Sequence, residues 1–456
     1  MKRRNGKRDL STTQIIMLSF LGLILLGSIL LSLPFSTADG KPIAYMDALF
    51  TATTATCVTG LVTVPTATAW SFFGQAVILL LIQAGGLGVI TVMAGVTVAL
   101  HRRMGLSDKL LLQDAFNLTS LSGLRSFVKR VILGTFLAEG IGALLYMAVF
   151  IPRYGARGVW ISVFNAVSAF CNAGMDVMGT DSLMGYATQP VVMGVTSALI
   201  ILGGLGFTVW WDVIRVLELT IRHKSLRMLT RLTLHSKMAL IATAVLLLGG
   251  AGLILLLEYT NPATIGGMPL LDKVQVALFQ SVTTRTAGFA SVDQASLTPA
   301  TTVLCLILMF IGGSPVGTAG GVKTITVLVL AAYAVCTVKG SREVSLFDRR
   351  VPNDALRKAV AVVSMSFLIA ALSTLFLAAV TPHADLADVL YESVSATATV
   401  GLSRNLTSTL SGAGKVIVIC TMYLGRIGPI SLAVAFGTSK EKQNIVNNPI
   451  ESVSVG

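Results

Sequence analysis

One glycine-centred segment occurs four times along the chain at nearly constant spacing. The glycines are Gly60, Gly174, Gly288 and Gly401, which lie 114, 114 and 113 residues apart. Each glycine ends a short, mildly apolar segment rich in Ser, Thr and Ala, and a long apolar stretch follows it. A repeat constrains the fold more than any local signal, because its copies have to adopt similar structures. Four copies of helix, short helix, glycine loop and helix around one axis would make a pore.

The composition of the chain is that of a membrane protein. It is 54% hydrophobic and 12% charged, whereas soluble domains carry about 25% charged residues. Eight apolar runs approach or exceed the roughly 20 residues that a bilayer-spanning helix needs. They are Ile15–Pro34, Phe72–Leu100, Phe127–Ile151, Val191–Val216, Met238–Leu257, Thr301–Val338, Ala359–Val380 and Val416–Ala435. We therefore predict an all-α integral membrane protein of eight transmembrane helices, two in each of four pseudo-repeated units, with four re-entrant pore helices around a single central pore.

The basic residues predict the orientation and the boundaries of these units. Of the 34 Lys and Arg residues, 25 lie in the termini or in the connections between repeats, in a chain of net charge +13. The positive-inside rule places both termini and these connections in the cytoplasm. We predict a multi-pass protein of the inner (cytoplasmic) membrane, with repeats at 1–102, 103–222, 223–340 and 341–437 and a cytoplasmic tail at 438–456. The basic inner face also suits an acidic protein or anionic membrane lipid, and its placement argues against nucleic acid as a partner.

The segment before each repeated glycine is too short to span a bilayer and too apolar for an exposed loop. We interpret these segments as four half-helices that enter from outside and stop at mid-depth, where irregular backbone is tolerated only if it is buried or lines a water-filled cavity. Glycine allows unusual φ values there, and rings of backbone carbonyls can replace the hydration shell of a monovalent cation. The predicted filter residues are Val58, Thr59, Gly60, Asn172, Ala173, Gly174, Thr286, Ala287, Gly288, Thr399, Val400 and Gly401.

Carboxylates near these loops are few. Asp47 and Asp388 each lie 13 residues before their glycine, where an acid favours a helix N-terminus. Asp176 and Asp293 follow their glycines and suit either an outer mouth that attracts cations or ordinary solvated and capping roles. No acid lies within the loops themselves, so a calcium-type acidic ring is not expected.

Cysteine and histidine give no sign of a metal site. The five cysteines lack metal-ligand spacing and the four histidines do not cluster, so we predict no bound cofactor in this chain. Cys57 and Cys171 share one repeat position, three residues before the glycine, and are expected to be small buried packing residues. Glu139 lies deep in its apolar run and is interpreted as a structural partner within the helix bundle rather than as part of the ion path.

The second apolar run of repeat 3 is interrupted by Gly312–Gly321. Five glycines and a proline in ten residues cannot form a regular helix. This stretch is either a kink for helix packing or a mobile intramembrane loop that blocks the pore. Arg426 lies deep in the last apolar run, where ionisable residues usually face an ion path. The predicted gate residues are Gly312, Gly313, Gly317, Gly320, Gly321, Lys323 and Arg426.

These motifs, taken in order, resemble the Ktr/Trk/HKT superfamily of potassium transporters, and most closely the membrane subunit of bacterial Ktr systems (KtrB-like). The resemblance covers nearly the whole chain and rests on five motifs. They are T-x-x-T-G-L at Thr56–Leu61, F-x-N-A-G at Phe170–Gly174, R-T-A-G-F at Arg285–Phe289, T-V-G-L at Thr399–Leu402 and G-R-I-G-P at Gly425–Pro429. At Pro315–Gly317 the chain departs from members that carry small Ser/Ala-rich residues there.

The resemblance implies four helix–pore–helix units around one pore, a homodimer and a cytoplasmic nucleotide-binding regulatory ring of the KtrA type. It implies K⁺ as the transported ion and Na⁺ as a candidate activator, with nucleotide bound by the partner subunit. Family members with glycine in all four loops are expected to prefer K⁺, whereas serine in the first loop, where this chain has Gly60, accompanies Na⁺ passage.

Other classes of function fit the sequence less well. A membrane enzyme would need a nucleophile–base pair or a metal cluster near one interface, and the sequence offers neither, so we expect no enzymatic activity. An inverted-repeat secondary transporter would need an odd number of spans in each repeat, whereas these repeats contain two. A sodium-permeable or sodium-coupled cation transporter of the same superfamily stays open as the alternative.

Overall fold

The computed structural model of the chain describes residues 12–88, 91, 92, 94, 95, 97, 123–341, 343–347 and 349–428. These residues are predominantly helical, with one two-stranded antiparallel hairpin, β1 (Ser345–Leu346) and β2 (Arg349–Arg350), at the start of the last predicted repeat. In chain order the helices are α1 Thr12–Leu31, α2 Tyr45–Cys57, α3 Thr66–Ala69, α4 Phe72–Leu87, α5 Leu124–Tyr154, α6 Arg157–Cys171, α7 Pro190–Leu205, α8 Phe207–His223, α9 Leu234–Glu258, α10 Leu270–Thr283, α11 Pro299–Phe310, α12 Thr324–Val338, α13 Asn353–Val380, α14 Leu386–Ala398 and α15 Gly412–Ile427.

Four helices in the described part of the chain are individually long and apolar enough to cross a membrane: α1, α5, α9 and α13. Each is the first described helix of its predicted repeat. Their outward faces carry large apolar side chains, such as Leu248 and Leu256 of α9, which are 68% and 76% exposed. Serine and threonine are buried instead around the short helices. This arrangement, with apolar side chains outside and polar side chains inside, is the reverse of that in a water-soluble protein and is expected where lipid surrounds the chain.

A short helix follows each long one: α2, α6, α10 and α14, with 13, 15, 14 and 13 residues. At 1.5 Å per residue the longest of them covers about 22 Å, less than the ~30 Å of a hydrocarbon core. Asp47 and Asp388 lie in the first turns of α2 and α14, as predicted. They also pair with Lys415 and Arg404 at 2.6 and 2.7 Å.

The four groups of helices close into a ring. In each group the helix that follows the glycine loop packs against the short helix of the next group, and α15 of the last group packs against α2 of the first. The other three pairs are α4 with α6, α7 with α10, and α11 with α14. This cyclic packing brings the ends of all four short helices to one place.

Repeat 3, which the sequence singles out for its interrupted second apolar run, is not the only repeat with such an interruption, because the run of repeat 2 is bent as well. Helices α4, α7 and α15 all end at a glycine of nearly identical conformation. These are Gly88, Gly206 and Gly428, with φ of 84°, 90° and 87° and ψ of 131°, 138° and 139°. At Gly206 the chain turns by 99° into α8, so the predicted continuous span Val191–Val216 does not exist. The last part of the predicted span Val416–Ala435 lies outside the described residues.

Candidate functional site

The four repeated glycines meet at the centre of the ring. A methyl group added to any one of them would collide with the carbonyl oxygen of the residue that precedes the next glycine in the cycle. This relation holds around the whole ring, so the backbones touch in one closed layer. The four collisions are Gly60 with Ala173 and Gly174 with Ala287, both at 2.5 Å, Gly288 with Val400 at 2.6 Å, and Gly401 with Thr59.

The backbone follows one pattern in all four loops. The residue two positions before each glycine has a left-handed conformation, and the glycine itself has φ between +65° and +100°. Left-handed conformations are costly for most side chains, so each loop holds a strained conformation that the surrounding structure has to maintain. The left-handed residues are Val58, Asn172, Thr286 and Thr399, with φ of 55°, 60°, 66° and 50°.

Hydroxyl side chains inside the short helices hold three of these loops. Thr54 and Ser395, each six residues before its glycine, accept hydrogen bonds from the amides of Gly60 and Gly401 at 2.9 and 3.0 Å. Ser168, at the same position in repeat 2, accepts from the Met175 amide at 3.1 Å. These residues were not among the predicted site residues, although aligning the four repeats on their glycines places the three hydroxyls in one column.

A cavity of about 280 Å³ lies on one side of the glycine layer and is lined by all four glycines. Asp176 lines this cavity, whereas Asp293 caps a short helical turn through the Ala295 amide and the Ser296 hydroxyl. Burial raises the pKa of the Asp176 carboxyl to about 6, against hydrogen bonds from the Met178 and Gly179 amides and Ser182 that lower it. Asp176 is therefore the acid of this pair that faces the site.

A second glycine motif supports the layer from behind, and its two G-G-L-G copies were not singled out in the sequence. The helices that follow the loops contain G-G-L-G at 85–88 and at 203–206 and G-R-I-G at 425–428. The first glycine of each motif packs directly on a carbonyl oxygen of the pore-helix end in the same repeat. This carbonyl belongs to the residue four positions before the repeated glycine of the loop, which is Thr56, Phe170 or Thr397. A side chain at this first position would push the pore-helix end away, so only glycine fits without rearrangement.

Residues 312–321 form a loop that lies against the glycine layer. Its ends close on each other, since the Gly312 amide donates to the Val322 carbonyl at 3.0 Å. Towards the layer, the Thr318 hydroxyl donates to the Phe170 carbonyl at 3.0 Å, and the Gly320 amide donates to the Thr286 hydroxyl at 3.2 Å.

The same loop docks on the break between α7 and α8. The Ser314 and Thr318 amides donate to the Gly204 and Gly203 carbonyls at 2.9 and 3.1 Å, and the Phe207 amide donates to the Val316 carbonyl at 2.9 Å. Val316 has φ of +64°, an outlier for a β-branched residue. The loop is thus well bonded but carries local strain.

Two cationic side chains bind the loop carbonyls. Arg426 donates to the Thr318 carbonyl at 2.7 Å and to the Gly85 carbonyl of α4 at 2.6 Å. Lys323 donates to the Ala319 carbonyl at 2.6 Å. Arg426 occupies the position of Gly86 and Gly204 in the second glycine motif, which brings its guanidinium to the loop. It is the penultimate residue of α15, so it lies at the end of its helix and not deep within one.

The other predicted residues lie behind the layer. Cys57 and Cys171 are fully buried, and Cys171 lies 3.9 Å from a carboxylate oxygen of Glu139. Glu139 is 4% exposed within the bundle and does not line the cavity of the four glycines. Among the described residues, no group of three or more His, Cys, Asp or Glu side chains is arranged to hold a metal ion.

Comparison with known proteins assigns this architecture to a family. The family model of the TrkH cation transport protein matches residues 6–448. The chain belongs to the TrkH family of cation transport proteins. It is 38% identical to the Ktr system potassium uptake protein B of Bacillus subtilis, over 97% of this chain and 96% of that protein. It is 37% identical to the potassium/sodium uptake protein NtpJ of Enterococcus hirae, over 100% of this chain and 99% of that protein.

A solved structure of the family has the same fold. The potassium transporter TrkH from Vibrio parahaemolyticus matches with a TM-score of 0.73 at 19% identity, over 96% of this chain and 87% of that one. The predicted family and the predicted all-helical membrane fold are therefore confirmed. The relatives are named as transport proteins rather than enzymes.

Proposed function

We propose that this TrkH-family protein takes up potassium ions across the cytoplasmic membrane through the ring of four glycine loops. One observation carries the proposal: each glycine touches the carbonyl-bearing residue before the next glycine, in a closed cycle of four. Such a layer presents carbonyl oxygens from four directions, which is the ligand set that a dehydrated monovalent cation needs.

The electrostatics of the ring favour a cation without any carboxylate in the loops. Four short helices end at the layer, and each C-terminus contributes roughly −0.5 of an elementary charge before screening. Asp176 adds a carboxylate in the cavity that the four glycines line. Cations would therefore be concentrated at the outer side of the filter. In each loop the proposed filter consists of three residues, the glycine and the two residues before it.

Potassium is favoured over sodium as the main cargo. The relative at 38% identity is named for potassium uptake, and NtpJ, at 37%, is named for both potassium and sodium. Glycine at all four loop positions, Gly60 included, fits the potassium-preferring pattern that the family resemblance implies. A sodium-permeable or sodium-coupled transporter is the second candidate, with Na⁺ then acting as cargo or activator.

The loop 312–321 is proposed as the gate of this pathway. It lies directly against the glycine layer and is tied to two other repeats, to repeat 2 through Phe170 and Phe207 and to repeat 4 through Arg426. A regulatory ring that binds nucleotide at the cytoplasmic face, as in a Ktr system, would move the loop, and two copies of this chain would form the membrane unit. Both termini and the basic connections would then face the cytoplasm.

The filter is tested by Gly60→Ser, with Gly40→Ser as the matched control. Both glycines have positive φ, but an added Cβ at Gly40 meets nothing within 4 Å, whereas at Gly60 it meets the Ala173 carbonyl at 2.5 Å. In cells that lack their own potassium systems, Gly60→Ser should lose discrimination against Na⁺ while Gly40→Ser keeps it. Wild-type K⁺/Na⁺ preference in the serine variants of all four ring glycines would refute the filter assignment.

A further inference from the structure

A cleft of about 1130 Å³ opens beside the proposed gate loop, away from the glycine layer. Its walls come from α5, α8, α9, α12 and α13, and its floor includes Pro315, Val316 and Lys323 of the loop region. The proposed ion filter does not use this cleft, because none of the four glycines lines it. It is therefore a separate feature that touches the same loop.

The lining of the cleft combines cationic and aliphatic side chains. Four cationic side chains, Arg130, Arg215, Lys323 and Lys358, face two carboxylates. One of these carboxylates, Asp212, already binds Arg215 at 2.5 Å and accepts from the Thr233 amide and hydroxyl. Aliphatic side chains of α12 and α13 also line the cleft, including Ile325, Val329 and Val362, and both helices carry exposed apolar side chains elsewhere.

Three polar atoms in this lining have no hydrogen-bond partner among the described residues. They are the Thr208 hydroxyl, the Trp211 indole nitrogen and the His235 Nε2. Buried polar atoms are normally paired, so each such atom calls for an explanation. Arg130 stacks on the Trp211 ring with its guanidinium carbon 5.7 Å from the ring centroid, which holds one cation next to one of these donors.

We propose that the cleft binds the phosphate headgroup of an anionic phospholipid through Arg130 and Lys358, and that the lipid acts on the gate loop through Lys323. A phosphate supplies acceptors for the cations and for the indole N–H. The aliphatic wall favours a lipid over free phosphate, because it can cover an acyl chain that inorganic phosphate lacks.

The coupling to the loop follows from the position of Lys323. Its ammonium group donates to the Ala319 carbonyl at 2.6 Å while its side chain lines the cleft. A phosphate in the cleft would compete with that carbonyl for Lys323 and weaken one of the two cationic ties on the loop. This second part rests on the proposed function, since it needs the loop to limit flux.

Binding is tested on the full chain by native mass spectrometry with added phosphatidylglycerol, phosphatidylcholine or inorganic phosphate. A basic side chain near an anionic lipid strengthens binding about five-fold, so Arg130→Gln with Lys358→Gln should weaken phosphatidylglycerol binding about 25-fold. The matched control is Arg125→Gln with Arg357→Gln, which removes two exposed charges from the same two helices outside the cleft. Lys358→Gln alone changes an exposed residue in the first turns of α13 and should weaken phosphatidylglycerol binding about five-fold. This single variant keeps the test valid if the double variant fails to fold.

Several results would overturn the site. Equal loss in the control pair would show a diffuse surface effect, and displacement of the lipid by inorganic phosphate would show a free-anion site. Unchanged lipid binding together with a shift from dimer to monomer would show that a second copy of the chain covers the cleft.

The coupling is tested separately in proteoliposomes without a regulatory subunit. Potassium flux should be higher with phosphatidylglycerol than with phosphatidylcholine, and the cleft pair of variants should abolish that difference. Equal potassium flux with phosphatidylglycerol and phosphatidylcholine, in a protein that still binds phosphatidylglycerol, would refute the coupling but not the binding site. The proposed function would fail only if no lipid composition supported potassium flux.

Discussion

Arg426 should hold the loop 312–321 closed through hydrogen bonds rather than through its charge alone. Its guanidinium bridges the Thr318 carbonyl of the loop and the Gly85 carbonyl of α4. A hydrogen bond from a charged donor is worth about 1.5–3 kcal/mol. Arg426→Gln shortens the side chain and removes the charge, so it should destabilise the closed state of the loop by about that amount. This corresponds to a rise of roughly ten- to one-hundred-fold in the ratio of open to closed loop.

The assay is rubidium or potassium uptake into proteoliposomes without a regulatory subunit. Arg426→Gln should raise this basal flux, and it should add little when residues 315–317 are also deleted, because both changes act on one loop. Arg404→Gln is the matched control: Arg404 also ties repeats together, through Asp388, the Gln294 carbonyl and Thr302, but it does not touch the loop.

Arg426→Lys separates bonding geometry from charge. Lysine keeps the positive charge but loses the planar fork that reaches two carbonyls at once, so this variant should also raise basal flux, though less than glutamine does. Low flux in the lysine variant and high flux in the glutamine variant would instead identify an electrostatic barrier. Unchanged flux in a folded Arg426→Gln protein would refute the role of Arg426 in the gate.

Three further predictions concern the outer mouth, the filter supports and the topology. Burial raises the pKa of the Asp176 carboxyl to about 6, so the carboxyl is charged at pH 7.5 and mostly protonated at pH 5.5. Because the full charge is worth ~1 kcal/mol, or about five-fold in affinity, the apparent K⁺ affinity should drop about two- to three-fold between these pH values. Asp176→Asn should remove this response, whereas Asp293→Asn should leave it intact, because the Asp293 carboxyl has a lowered pKa. Ser395→Ala leaves the Gly401 amide without its acceptor and should lower the free energy of unfolding by about 1–3 kcal/mol and weaken K⁺/Na⁺ selectivity, whereas wild-type values in both would show that the bond is dispensable. Single cysteines at Arg227 and His383, in a background without the native cysteines, should react with an impermeant thiol reagent only from inside and only from outside respectively, and external labelling at Arg227 would contradict the parallel-repeat topology.

Much of the architecture could be predicted from the sequence, because the repeat is visible in the order of the residues. Spacing of 114, 114 and 113 residues locates the four loops without any knowledge of contacts, and hydrophobic length locates the helices that precede them. The hydroxyl supports Thr54, Ser168 and Ser395 were also accessible, since the repeat alignment places them in one column.

The helix ends at Gly88, Gly206 and Gly428 were not predicted, because the length of each second apolar run by itself predicts one continuous span. The length of an apolar run shows how many residues can lie in the lipid, but it does not show where the backbone changes direction. The 99° turn at Gly206 depends on the Gly203, Gly204 and Val316 carbonyls finding partners across repeats. The G-G-L-G and G-R-I-G motifs carried the signal, but only their packing on pore-helix carbonyls gave it a meaning.

The sequence by itself therefore determined which residues repeat, which segments suit lipid and where the charges lie. The tertiary structure alone decided which groups meet: the closed cycle of glycines and carbonyls, the docking of loop 312–321 on the α7–α8 break, and the reach of Arg426 from the last repeat to the first. The physical reason is range. Propensity and hydrophobicity act over a few turns of chain, whereas the bond from Arg426 to Gly85 joins residues 341 positions apart and exists only because the four repeats close into a ring.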